Sequence, residues 1–166
     1  MTQPTTIFFG FEGNIQKSPK IYLRALLFST SQSGRVIESM HIRLYRGESS
    51  QTFNIWVYGE NKELVRGSGL YVGKVGVAYS HHFLPPKDGT TYEFVQGKYR
   101  LEVFASILNQ KSPRKMFSVD LEVNENQAAK LKEGDYGLYF DWGPESSKYH
   151  PYLHLPESAI FSGLFV

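Results

Sequence analysis

The chain has 166 residues, of which 41% are apolar, 20% are charged and 15% are aromatic. That is enough for one domain with a substantial core and short for two. Its formal charge of +2 comes from 18 basic and 16 acidic residues scattered along the chain, so nucleic acid is not expected as a partner.

There is no cysteine, which excludes a disulfide framework and a thiolate metal centre. A reducing compartment fits a Cys-free chain. The opening MTQPTTIFFGFEG lacks the charged and apolar regions of a signal peptide, and no apolar run approaches the roughly 20 residues that span a bilayer. A soluble, cytoplasmic protein without a membrane partner is therefore expected.

Period-two alternation dominates the chain, as strands with one face inward require. Thr6 to Phe11 is a first, short candidate. Ile21, Leu23, Ala25 and Leu27 then share one face of a long strand. Val36 to Arg46 aligns Met40, Ile42 and Leu44. In the next run Phe53, Ile55 and Val57 lie on one face and Trp56 and Tyr58 on the opposite one, which is either exposed or buried under the C-terminal tail. Tyr71, Gly73, Val75, Val77 and Tyr79 make a further face. Tyr99, Leu101, Val103 and Ala105 follow, backed by Lys98, Arg100 and Glu102. Phe117, Val119, Leu121 and Val123 come next, backed by Ser118, Asp120 and Glu122.

After these strands Asn124 to Glu133 reads as the one helix. Asn124 caps it, with Gln127 three residues on, and Ala128 and Leu131 face the body. Tyr136 to Trp142 and Ile160 to Val166 are the last strand candidates. The final AIFSGLFV is unusually apolar for a chain end and suggests a strand that either completes a sheet of its own chain or adds to a neighbour's edge.

Turns rich in Gly, Pro, Asn, Asp and Ser cut these runs at short intervals, which indicates an all-β antiparallel two-sheet sandwich. One domain over 1–166 is expected, with a C-terminal extension from about 124 to 166 packed on it. Gly97, Tyr99 and Leu101 in VQGKYRLEVF have the spacing of a tyrosine corner. On those residues the chain resembles immunoglobulin-like and fibronectin-type-III-like sandwiches. The resemblance implies that Tyr99 opens the penultimate strand and that its hydroxyl bonds back to nearby backbone. It implies no functional residues. The residues after Val123 exceed such a unit, so a jelly roll stays open beside it.

Chemistry-bearing motifs are sparse. His81 and His82 are neighbours and would point to opposite faces of a strand. His150 and His154 are four apart, a ligand spacing on a helix that Pro151 disfavours. These four are the weak metal candidates. No metal and no cofactor are expected, and no catalytic residue is assigned. The aromatic residues carry more weight. Trp56 and Tyr58, if their strand face is outward, and Trp142, Tyr149 and Tyr152 beside Asp141 in late loops, suit partner contact or sugar stacking. The leading expectation is a non-enzymatic protein-interaction or assembly module, with a second copy of the chain as one candidate partner. A carbohydrate- or small-ligand-binding module comes second, and a metal-dependent enzyme using the histidines third.

Overall fold

A computed structural model describes residues 1–13, 17–60 and 63–155. In chain order the strands are β1 (Thr6–Glu12), β2 (Ser18–Leu27), β3 (Arg35–Arg46), β4 (Ser49–Phe53), β5 (Ile55–Glu60), β6 (Glu63–Arg66), β7 (Leu70–Val72), β8 (Val77–Leu84), β9 (Gly97–Ile107) and β10 (Arg114–Val123). Helix α1 (Glu125–Glu133) and strands β11 (Gly137–Gly143) and β12 (Lys148–His154) complete the described chain. The strands form two antiparallel sheets, one ordered β12-β11-β1-β2-β8-β5-β6 and the other β10-β9-β3-β4, with β7 paired to β3. The architecture is thus an all-β sandwich with one short helix, and its order is compatible with an immunoglobulin-like fold. No helix among the described residues is long and apolar enough to cross a membrane.

The inward faces follow from the alternation. Ile21, Leu23, Ala25 and Leu27 of β2 are buried, and so are Tyr99, Leu101, Val103 and Ala105 of β9. On β3 the buried residues are Ile37, Met40, Ile42 and Leu44. A bulge between Ile37 and Ser39 inserts the extra residue that resets the phase. The face of β10 is inward mainly at Leu121 and Val123, beyond a bulge between Lys115 and Phe117.

Two expected strands are each split between the sheets. Phe53 ends β4 in the five-stranded sheet, and Ile55 begins β5 in the seven-stranded one. The chain crosses at Asn54, so Phe53 and Trp56 both face the core although they lie three apart. Trp56 is only 3% exposed, which overturns the outward aromatic face. The second split lies between Tyr71 and Val77. Here Val72 of β7 turns inward, Tyr71 outward, and Val75 stands in the connecting loop.

Tyr99 hydroxyl donates to the Val95 carbonyl at 2.5 Å, the backward bond that the corner motif implies. Tyr99→Phe removes that donor and leaves the carbonyl with one partner fewer. A loss of about 1 kcal/mol in urea unfolding is expected. The loop before β9 also supplies a core residue that alternation does not reveal. Phe94, in irregular backbone, is buried and stacks on Phe9 at 5.0 Å between ring centroids.

Helix α1 carries its expected capping box. Asn124 Oδ1 accepts from the Gln127 backbone, and Gln127 Oε1 accepts from the Asn124 backbone, at 2.8 and 2.9 Å. Leu131 is buried and Ala128 packs beside it against the core. The residues beyond α1 extend a sheet in its own plane, since β11 pairs with β1 and β12 with β11. The strand expected over Ile160 to Val166 lies outside the described residues.

Candidate functional site: an aromatic row across the outer sheet face

Strand register places side chains from five strands in one line on the outer face of the seven-stranded sheet. Tyr152 stands opposite Tyr139, Tyr139 opposite Phe8, Phe8 opposite Tyr22, and Tyr22 opposite His82. Their rings touch in the same order, with centroid separations of 5.3, 4.9, 6.4 and 4.9 Å. Four strand spacings make this row about 19 Å long. Tyr22, Tyr139 and His82 are half-buried, and Tyr152 at the edge is 43% exposed.

Phe8 is held flat by what lies under it. A β-carbon on Gly10 or Gly137 would meet its ring at 2.2 or 2.1 Å, so both positions must lack a side chain. Lys20 covers the ring with its ammonium 5.6 Å from the centroid and pairs with Glu12 at 2.5 Å. Gly137→Ala would lift Phe8 off the sheet and expose it. The expected loss is roughly 1–3 kcal/mol in chemical denaturation, with a shallower loss for Phe8→Leu/Gly137→Ala than for Gly137→Ala alone.

A polar row runs beside the rings. Asp141 stands between Thr6 and His150 by register. It accepts from the Thr6 hydroxyl at 3.1 Å. Arg24 donates to Ser80 at 3.2 Å and approaches Glu60 at 3.6 Å. His150 Nε2 lies 2.7 Å from the Ser146 hydroxyl in the β11–β12 turn. The result is a flat surface with aromatic contact area in one line and hydrogen-bonding groups in the next.

Of the residues expected to bind from sequence, only Asp141 and Tyr152 lie on this face. Trp142 and Tyr149 face the other way on the same hairpin, because alternate strand residues point to opposite sides. They meet edge-on at 5.1 Å. Tyr149 donates to the Pro4 carbonyl at 2.7 Å and accepts from Gln3 at 3.0 Å. Burial pushes its pKa up to about 12. Tyr149 therefore anchors the N-terminal segment with Trp142 packed against it, and neither joins Tyr152 in a stacking platform. The late loops expected here are in fact strands. Pro151 is accommodated because β12 is an edge strand.

Trp56 and Tyr58 face inward. The Trp56 indole donates to His81 Nδ1 at 3.1 Å, and the Tyr58 hydroxyl donates to the Gly69 carbonyl at 2.8 Å. His81 and His82 do diverge, one into the core and one onto the outer face. His82 lies about four strand spacings, or about 19 Å, from the strand that carries His150 and His154. The four histidines do not converge, and among the described residues no three His, Asp or Glu side chains cluster as metal ligands. Tyr139, Phe8 and Tyr22 were not singled out by sequence. The available signal was the outward phase of β1, β2 and β11, but their alignment depends on register between strands far apart in the chain.

Comparison of the chain with protein-family models, with curated proteins and with solved structures finds no match.

Proposed function

We propose that this protein is a non-enzymatic interaction module that engages another protein chain through the outer face of its seven-stranded sheet. The observation that carries this reading is the row Tyr152–Tyr139–Phe8–Tyr22–His82, an aromatic surface already ordered by the sheet. Rings held in place lose little entropy on contact, and flat aromatic patches with a polar border suit protein interfaces. The core is read as immunoglobulin-like. β1-β2-β8-β5 corresponds to the A-B-E-D order and β10-β9-β3 to G-F-C. Tyr99 then stands at the start of the F strand, where a tyrosine corner belongs. In this reading β11 and β12 are additions that widen the A-strand side and supply two of the five rings.

A second copy of the chain is the first partner to test. Sedimentation velocity over a concentration series should show self-association that Tyr152→Glu and Tyr22→Glu weaken. A monomer at every concentration would remove the self-assembly form of the proposal. A carbohydrate ligand is the second reading, favoured by Asp141 and Tyr152 sharing one face. On a glycan array it requires signals that Tyr152→Ala and Asp141→Asn both abolish.

A further inference from the structure

Three connections converge at one end of the sandwich, well apart from the ring row. They are residues 28–34 after β2, 73–76 before β8, and 108–113 after β9. Ser29 donates its backbone N–H to the Gly73 carbonyl at 3.0 Å. Lys74 reaches Gln32 at 3.1 Å, and the Leu108 N–H bonds the Val36 carbonyl at 2.9 Å. Between them opens a cleft of about 520 Å³, within the size range of small-ligand pockets.

The cleft has an apolar floor and a cationic rim. Leu27, Ile37, Val72 and Ile107, all buried core residues, form the floor where the two sheets part. Arg35, Arg114 and Lys115 line the rim, and among the described residues no carboxylate lines the cleft. Neither arginine forms an ion pair among the described residues, whereas Lys115 lies 3.6 Å from Glu102. The amino group of Met1, also at the cleft, is held below its usual pKa by burial and then by Arg114. The carboxylates sharing this end are Glu38, exposed at the β3 bulge and absent from the cleft lining, and Glu60, Glu63 and Glu145, which belong to hairpins nearer the sheet edges.

The same end exposes large apolar side chains. Phe28, on the cleft wall, is 42% exposed. Leu108 and Val75, in the adjoining connections, are 45% and 95% exposed. Arg35 Nη1 donates only a long bond to the Gly34 carbonyl at 3.5 Å, and guanidinium groups without an ion-pair partner call for an anion, which they bind through paired N–H donors. A core-lined floor and exposed apolar rim call for hydrocarbon.

We infer that this cleft binds an anionic amphiphile, with a phosphate- or carboxylate-type head against Arg35 and Arg114 and an apolar chain over Val72, Ile107 and Phe28. The site is independent of the aromatic face, and neither assignment rests on the other. Amide NMR titration with octyl phosphate tests it, with octanol and inorganic phosphate as controls for tail and head alone. Octyl phosphate should shift the amides of Val72, Ile107 and Gln110 saturably, and each control should bind at least tenfold more weakly. Arg35→Gln and Arg114→Gln should each weaken binding about tenfold, as loss of a charged hydrogen-bond partner does. Both arginines are exposed, so the melting temperature should stay unchanged. Phe28→Ser removes the apolar wall instead of the charge and should weaken binding in the same direction.

Vesicles of phosphatidylcholine, alone or mixed with phosphatidylserine, separate the sources of the ligand. Capture by the anionic vesicles alone, lost in the arginine variants, places the head in a bilayer lipid. Binding of octyl phosphate without capture places it on a free molecule, and either result supports the inference. Equal binding of octanol or inorganic phosphate, shifts confined to other residues, or full affinity in both arginine variants would overturn it.

Discussion

Trp56→Ala should be among the most destabilising single substitutions in this protein, with a loss of roughly 3–5 kcal/mol in urea unfolding. Two effects combine. The indole fills core volume between the sheets, packed against Gly67, where a β-carbon would meet the ring at 2.2 Å. It also donates the hydrogen bond that His81 Nδ1 accepts. His81 is fully buried, and its Nε2 has no hydrogen-bond partner among the described residues. Removing the indole leaves both ring nitrogens of a buried imidazole without a partner, which costs more than the cavity alone. Trp56→Phe separates the terms, because it keeps most of the ring volume and removes only the donor. Its expected cost is about 1–3 kcal/mol. Trp56→Phe combined with His81→Leu should cost less than the two single changes added together, since it replaces a polar pair with an apolar one. A loss below about 1 kcal/mol for Trp56→Ala would mean that the indole does not fill the core between the sheets.

Acid should unfold the protein through the same pair. With Nδ1 accepting from Trp56, the neutral imidazole carries its proton on Nε2, and protonation would place a charge in the core. Burial, followed by the neighbouring charges of His82 and Arg24, lowers the His81 pKa to about 4 from an ordinary value of 6.5. His82 is also lowered to about 4, by burial and then by Lys20, with Glu12 opposing. The sign follows from linkage. Above pH 6.5 both folded and unfolded chains hold neutral imidazoles, and the stability is fully present. Below it the unfolded chain binds protons that the folded chain refuses, so stability falls as pH drops from 6.5 towards 4. For His81 alone this amounts to about 3 kcal/mol across the window. His82 adds less, because its partial exposure screens the charge. Urea midpoints at pH 7, 5.5 and 4.5 should decline steeply, and His82→Gln should leave most of the decline in place. In NMR the His81 ring should not titrate above pH 5. A ring titrating near pH 6.5 would show that it is not sealed as described.

Both expectations depend on a fact that alternation alone misreports. The run Phe53 to Tyr58 reads as one strand with Trp56 on the face opposite Phe53, yet the chain changes sheets at Asn54 and turns both inside. A period-two pattern reports which residues share a face only while the strand continues. One residue of crossover reverses every assignment beyond it. The run Tyr71 to Tyr79 fails the same way, because β7 joins β3 and β8 joins β2. The strands read correctly, β2 and β9 above all, stay in one sheet from end to end and need no bulge on their own inward face. The capping box of α1 was legible because every atom in it lies within four residues.

The candidate sites divide along the same boundary. Asp141 and Tyr152 were found by residue type, but their companions Phe8, Tyr22 and Tyr139 come from strands that meet only through register. The cleft cations Arg35, Arg114 and Lys115 stand at the starts of β3 and β10, some eighty residues apart, so no local window contains them. What the sequence by itself determined is the material of the fold: strands with one apolar face, a capped helix and a tyrosine whose hydroxyl bonds back to the loop before it, each set by interactions between near neighbours. The tertiary structure alone decided which sheet each strand joined, which aromatics reached the surface, and where positive charge gathered over an open end of the core. Those outcomes depend on pairing between distant segments, whose register is set by burial of both sheets together and is not encoded in any one strand.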